Sequence, residues 1–285
     1  MSMNAFYRIC VPSLMFLAAS TLHAADQQAG GAQSTAHKLI PIEQFLRQDS
    51  LEQIKLSPSG KYVARTVPLG EKTVLMISRR SDGVMTGHFN LAGKTQVLDF
   101  WWVNDERLLI SVGEKYGELE RPQPTGELYA TNADGSGQGL LVGWRAAPET
   151  HATHITTGKK QERVAAELVD DLPNDPNKVI ISVYDLQGQT PYTRAEEMDV
   201  YSGHRTVVAH APVRRAQFVT DAQGIVRFAI GAGADNLSKT YYRDGAGADW
   251  QLINDEGATQ RVMSPLGLGH HRYQEGCVHT AITES

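Results

Sequence analysis

Three features of the sequence predict an all-β chain of repeated four-stranded blades. Four segments share one plan: a short apolar run, a polar turn, then a β-rich run. A second hairpin type alternates with them, marked by Asp-Gly or Ser-Gly turns. Equivalent positions in the first type, Leu56, Val103, Leu172 and Val219, are separated by steps of 47, 69 and 47 residues. Two hairpins per unit with a period near 47 describe a propeller blade. The expected architecture is a partial β-propeller of about four blades of four antiparallel strands, preceded by a short N-terminal helix.

The first segment, residues 1–24, reads as a signal peptide. Met1 to Arg8 carries one positive charge and no acid, and Ile9 to Leu22 is apolar. Leu22, His23 and Ala24 place small or apolar residues where a signal peptidase cuts, so cleavage is expected after Ala24. The apolar run is shorter than the roughly 20 residues needed to span a bilayer. The expected location is therefore periplasmic or secreted, with no membrane attachment after cleavage. Residues 25–40, rich in Ala, Gln, Gly and Ser, read as a flexible leader. Pro41 to Arg47 reads as one or two helical turns, with Ile42, Phe45 and Leu46 on one face.

The blades are expected within residues 41–263. The first hairpin type runs over Ile54–Ala64, Trp101–Ser111, Leu172–Ser182 and Phe218–Ala229. In each, Ser, Asn or Asp opens a tight turn by accepting from backbone amides, and β-branched or aromatic residues restart the strand. The second type is centred on Asp82-Gly83, Asp134-Gly135, Ser202-Gly203 and Asp244-Gly245. The longer middle step contains His151 to Arg163, a loop insertion. Residues 264–285 form an atypical tail. Ser264 to Leu268 suits the start of a further blade, but His270 to Cys277 lacks the turn and strand pattern, as an out-of-frame tail would.

Composition excludes several function classes. Hydrophobic residues make up 41% and charged residues 21%, enough apolar material for a core. The net charge of -5 becomes -6 without Arg8, and basic residues cluster no further than pairs such as Arg79-Arg80. No basic face is available to neutralise phosphates, so no nucleic-acid partner is expected. Cys10 lies in the signal, which leaves Cys277 without an intramolecular partner.

The turn Leu56-Ser57-Pro58-Ser59-Gly60-Lys61-Tyr62-Val63-Ala64 resembles a blade motif of periplasmic propellers, including the Tol-system propeller, and of the prolyl oligopeptidase family. Pro41–Phe45, Phe100–Leu109, Pro124–Ala130 and Asn132–Gly137 extend the likeness over roughly residues 40–260. Together they resemble the N-terminal propeller of exported bacterial serine peptidases of that family, the dipeptidyl and acylaminoacyl branch. The resemblance implies a partner α/β-hydrolase domain carrying Ser, Asp and His, with the propeller restricting peptide access to it. It also implies seven blades, more than the four counted here.

No Gly-x-Ser-x-Gly elbow occurs in the chain. Gly135-Ser136-Gly137 reads as a turn tip. The sequence therefore assigns no catalytic, cofactor-binding or metal-ligating residue. His151 with His154, and His270 with His271, read as loop histidines without further metal ligands. Asp170, Asp171 and Asp175 read as a turn stiffened by Pro173 and Pro176 rather than a calcium loop. Trp101 and Trp102 must face opposite sides of one strand. Acidic propeller residues bind the substrate amino group in dipeptidyl peptidases, but the spacing of Glu118, Glu120 and Arg121 does not establish that role. The expected function is thus that of a non-catalytic propeller portion, gating peptides on their way to a hydrolase domain absent from this chain. The alternative is a free-standing periplasmic propeller that binds a protein partner or serves as a scaffold.

Overall fold

The computed structural model describes residues 53–117, 121–145, 163–172, 174–186, 192–268 and 278–283. Chain contacts separate Met1–Arg47 from Gln48–Ser285, and every described residue belongs to the second unit. The expected signal, leader and short helix, the His151 to Glu162 part of the insertion, and His270 to Cys277 lie outside the described residues.

The fold is antiparallel sheet. β1 (Ile54–Leu56), β2 (Tyr62–Leu69), β3 (Lys72–Arg79) and β4 (Met85–Phe89) form the first blade, paired in chain order. β5 (Thr95–Trp102), β6 (Arg107–Glu114), β7 (Gln123–Asn132) and β8 (Gly139–Val142) form the second in the same way. β9 (Val164–Asp170), β10 (Lys178–Asp185), β11 (Tyr192–Asp199), β12 (Arg205–Thr220), β13 (Val226–Ala232), β14 (Ser238–Tyr242) and β15 (Gln251–Asp255) form one seven-stranded sheet.

The seven-stranded sheet is two blades sharing a strand. β12 has 16 residues and pairs with β11 from Arg205 to Arg214, then with β13 from Arg214 to Thr220. Counted once in each blade, it completes four strands in both. The sequence reading separates these blades, whereas the chain runs directly from the last strand of one into the first of the next. The bend falls at Pro212 and Arg215. Pro212 has no N–H to give a ladder and lies between the paired residues His210 and Arg214, where the register shifts. Arg215 takes a left-handed φ of 51° inside the irregular step between Arg214 and Gln217.

The core lies between blades. Strands alternate their side chains, so each central strand feeds two interfaces. Leu108, Ile110 and Val112 join Leu75, Ile77, Phe89 and Phe100 between the first and second blades. Leu109 turns the other way and joins Val164, Val179, Ile181 and Met198 between the second and third. Ile180 leaves its neighbours to join Ala209, Phe218 and Ala229 between the third and fourth. This explains why β6 and β10 are continuous apolar runs: both faces meet protein. Trp102 is buried against the first blade, and Trp101 packs toward the third.

Glycine permits close approach at one blade contact. A Cβ on Gly87 of β4 would lie 2.5 Å from the Gly135 backbone nitrogen of the β7–β8 turn. That space admits no side chain.

Beyond β15, a single turn of helix, α1 (Glu256–Thr259), is capped by Asp255. β16 (Val262–Leu268) then pairs antiparallel with β17 (Val278–Thr283). β16 lies against β14, as β5 lies against β3 and β9 against β7. The spatial relation of a third strand to the next blade's first strand is thereby repeated, in the segment where Ser264 to Leu268 suggested a further blade start.

Candidate functional site

The opening turns of successive blades are tied to one another. Ser59 donates from its backbone nitrogen and its hydroxyl to Asp105 Oδ1, at 2.8 and 2.7 Å. These bonds hold the Asp105 carboxyl below its ordinary range. Asn104 Nδ2 reaches on to Pro176 O at 2.6 Å and the Tyr201 hydroxyl at 3.1 Å. Thr220 Oγ1 donates to Asp170 Oδ2, joining the third and fourth turns. Arg107, buried at the start of β6, donates through Nε and Nη2 to Val200 O at 3.0 and 2.9 Å. Its Nη1 reaches Asn132 Oδ1 and Gly137 O, and its guanidinium lies 5.0 Å from the Tyr201 ring centre. These groups are engaged in holding blades together.

A charged network closes the other end of the second blade. Glu127 is fully buried, and Arg145 Nε donates to both its carboxylate oxygens at 2.8 and 2.7 Å. Arg145 also pairs with Glu114 and reaches Thr95 Oγ1 at 3.0 Å. The Thr95 hydroxyl, and then Arg145, hold the Glu114 carboxyl below its ordinary range. Burial, reinforced by Glu127, pushes the Tyr129 hydroxyl up to about 12. Each charge here has a partner of opposite sign, the arrangement of a structural network.

A cleft of about 250 Å³ lies between the third and fourth blades. Leu172, Ile180, Val208, Ile225 and Val226 supply apolar walls, and Asp175, Glu197 and Arg243 supply charge. Lys178 bonds Glu197 at 2.8 Å and lies 3.6 Å from Asp175, so the two carboxylates share one ammonium. Arg243 is only 4% exposed. It donates to Val226 O at 2.8 Å and to Val208 O at 3.4 Å, and lies 4.9 Å from the Trp250 ring centre. Among the described residues it has no carboxylate partner. Burial, and then the neighbouring Arg227, depress its guanidinium from the ordinary arginine value.

The residues weighed from sequence are dispersed. Ser136 sits at a turn tip, where its amide and hydroxyl donate to Asp134 Oδ1 at 2.9 and 2.6 Å. Asp170 accepts from Leu172 N at 3.2 Å, and Asp175 from Asn177 N at 3.2 Å, as turn-forming groups do. Leu172 itself has left the strand, with a left-handed φ of 43° before Pro173. Arg121 is exposed, while Glu118, Glu120, His151, His154, His270 and His271 lie outside the described residues. His88, His204 and His210 are exposed on separate elements. Among the described residues no three His, Cys, Asp or Glu side chains are grouped to hold a metal ion.

Sequence reading missed Arg243 and Arg145. Arg243 precedes Asp244-Gly245 and reads as an exposed turn residue. Arg145 follows β8 with no local sign that Glu127, 18 residues earlier, is its partner.

No family model and no curated protein matches the sequence. Among solved structures, the chain is similar to one from a study of two prolyl endopeptidases, at 15% identity and a TM-score of 0.41, over 76% of this chain and 29% of that one. It is similar to a puromycin-hydrolysing peptidase of Mycobacterium tuberculosis, at 14% identity and a TM-score of 0.42, over 76% and 32%. It is also similar to TolB of Acinetobacter baumannii, at 11% identity and a TM-score of 0.39, over 73% and 44%. The chain spans about a third of each peptidase and less than half of TolB. These likenesses assign no activity to it.

Proposed function

We propose that this chain is the non-catalytic propeller part of an exported serine peptidase of the prolyl oligopeptidase kind. In that role it limits which peptides reach a hydrolase domain lying outside these residues. The carrying observation is the series of four-stranded blades, in which the buried Arg107 ties the second blade to the third and the Glu127–Arg145 pair lies within the second. The N-terminal apolar segment supports export, and no helix among the described residues is long and apolar enough to cross a membrane.

The test is labelling of the purified chain with a fluorophosphonate reagent, alongside hydrolysis of dipeptidyl p-nitroanilides. Neither labelling nor turnover above background is expected. A labelled serine would overturn the non-catalytic reading. Sequencing the gene beyond codon 263 tests the gating role: a hydrolase reading frame in any frame supports it, and none removes it.

A free-standing periplasmic propeller that binds a protein is the second reading. The exposed Leu252 and Ile253 on β15, an edge strand among the described residues, favour it, because such an edge can pair with another chain. A monodisperse chain with one cooperative melting transition and no downstream hydrolase frame would select this reading.

A further inference from the structure

We propose that the cleft between the third and fourth blades binds a short aliphatic carboxylate, with Arg243 receiving the carboxylate group. This inference stands apart from the gating role and holds for either reading of the chain.

A buried cation ordinarily has an anionic partner. The half-buried Arg227 has Asp221 Oδ2 at 2.9 Å, and the buried Arg107, which lacks a carboxylate, engages protein acceptors through all three of its nitrogens. Arg243 is buried, yet two backbone carbonyls and the Trp250 ring are its described partners. Those carbonyls occupy Nε and one Nη2 position. A guanidinium has five N–H donors, so donors remain for a planar anion.

Arg243 lines a cleft whose other walls are largely Leu, Ile and Val side chains. An inorganic anion would leave those walls wet, whereas a short aliphatic chain would cover them. Asp175 and Glu197 share the single ammonium of Lys178, which leaves one net negative charge in the same cleft. They disfavour a second anionic group on the ligand. The chemistry is therefore one carboxylate on a small branched hydrocarbon. A free acid and the C-terminal residue of a peptide both supply it.

Calorimetric titration of the full chain tests this with isovalerate, N-acetyl-leucine, isovaleramide and inorganic phosphate. Saturable one-to-one binding of a carboxylate is expected, at least about tenfold tighter than isovaleramide. Isovalerate binding alone would mark a free acid, and tighter N-acetyl-leucine would mark a peptide C-terminus. Both outcomes support the site.

Arg243→Lys should weaken binding about tenfold, because a point charge replaces a planar fork. Should that variant fail to fold, Ala246→Phe decides the matter. Ala246 is exposed and lines the cleft, so Phe there blocks the cleft without disturbing the core. It should abolish binding and leave the melting temperature unchanged. Equal binding of isovalerate and isovaleramide would overturn the proposal. So would phosphate binding in preference to carboxylates, unchanged binding by a folded Ala246→Phe variant, or no heat up to about 10 mM ligand.

Discussion

At the scale of single residues, stability depends on buried charges that serve one another. Arg145 is the clearest case, since it satisfies the fully buried Glu127 carboxylate. Arg145→Met would leave that carboxylate buried without a cation, and should lower stability by about 3–5 kcal/mol in urea denaturation. Glu114 gives a pH-dependent counterpart. Its carboxyl is held low by the Thr95 hydroxyl and by Arg145. A lowered carboxyl stabilises the fold above the ordinary glutamate range, and that contribution disappears as pH falls through its folded value. Glu114→Gln should therefore flatten the loss of thermal stability below about pH 4.5. The turn chemistry of Ser57, Asp134 and Asp175 was legible in sequence because those side chains bond within a few residues of themselves. The Arg145–Glu127 pair was not, because its members meet only when β7 and β8 are paired.

At the scale of elements, β12 has the most consequences. It turns two blades into one continuous sheet, and its bend is placed by Pro212 and Arg215. Arg215 is exposed and has a left-handed backbone, so its side chain adds little and its Cβ is strained. Arg215→Gly should raise stability by about 0.5 kcal/mol, whereas Arg215→Val should lower it by about 1 kcal/mol or more. Thermal melts of the two variants in one buffer would check the opposite signs. The hairpins themselves were readable from sequence, since Asp-Gly turns and period-two strands are local signals. The sharing of β12 was not readable. Its sequence shows a strand pattern on both sides of Pro212, and only the different partners on each side reveal two blades.

At the scale of the molecule, blades are coupled by apolar cores and by the chain of turns. Arg107 adds a polar tie, being buried while donating to Val200 O of the third blade and to Asn132 Oδ1 of its own. Arg107→Met should cost about 3 kcal/mol, and Arg107→Lys should not restore it, because one ammonium cannot reach both acceptors as a guanidinium does. The measurement is the urea midpoint of each variant. A loss below about 0.5 kcal/mol would show that the apolar cores couple the blades without the arginine.

The strand class, the hairpins, the turn residues and the repeat near 47 residues can all be read from local sequence pattern. All of these are set within one or two hairpins, where side-chain alternation and turn chemistry act locally. Which residues face one another across blades depends on how the blades pack. Leu109 and Ile110 are adjacent and equally apolar, yet they enter different cores because successive side chains point to opposite faces. The cleft at Arg243 arose at the same level. Its walls come from strands and turns of two blades, and an arginine beside an Asp-Gly turn becomes a buried cation only when those blades close over it.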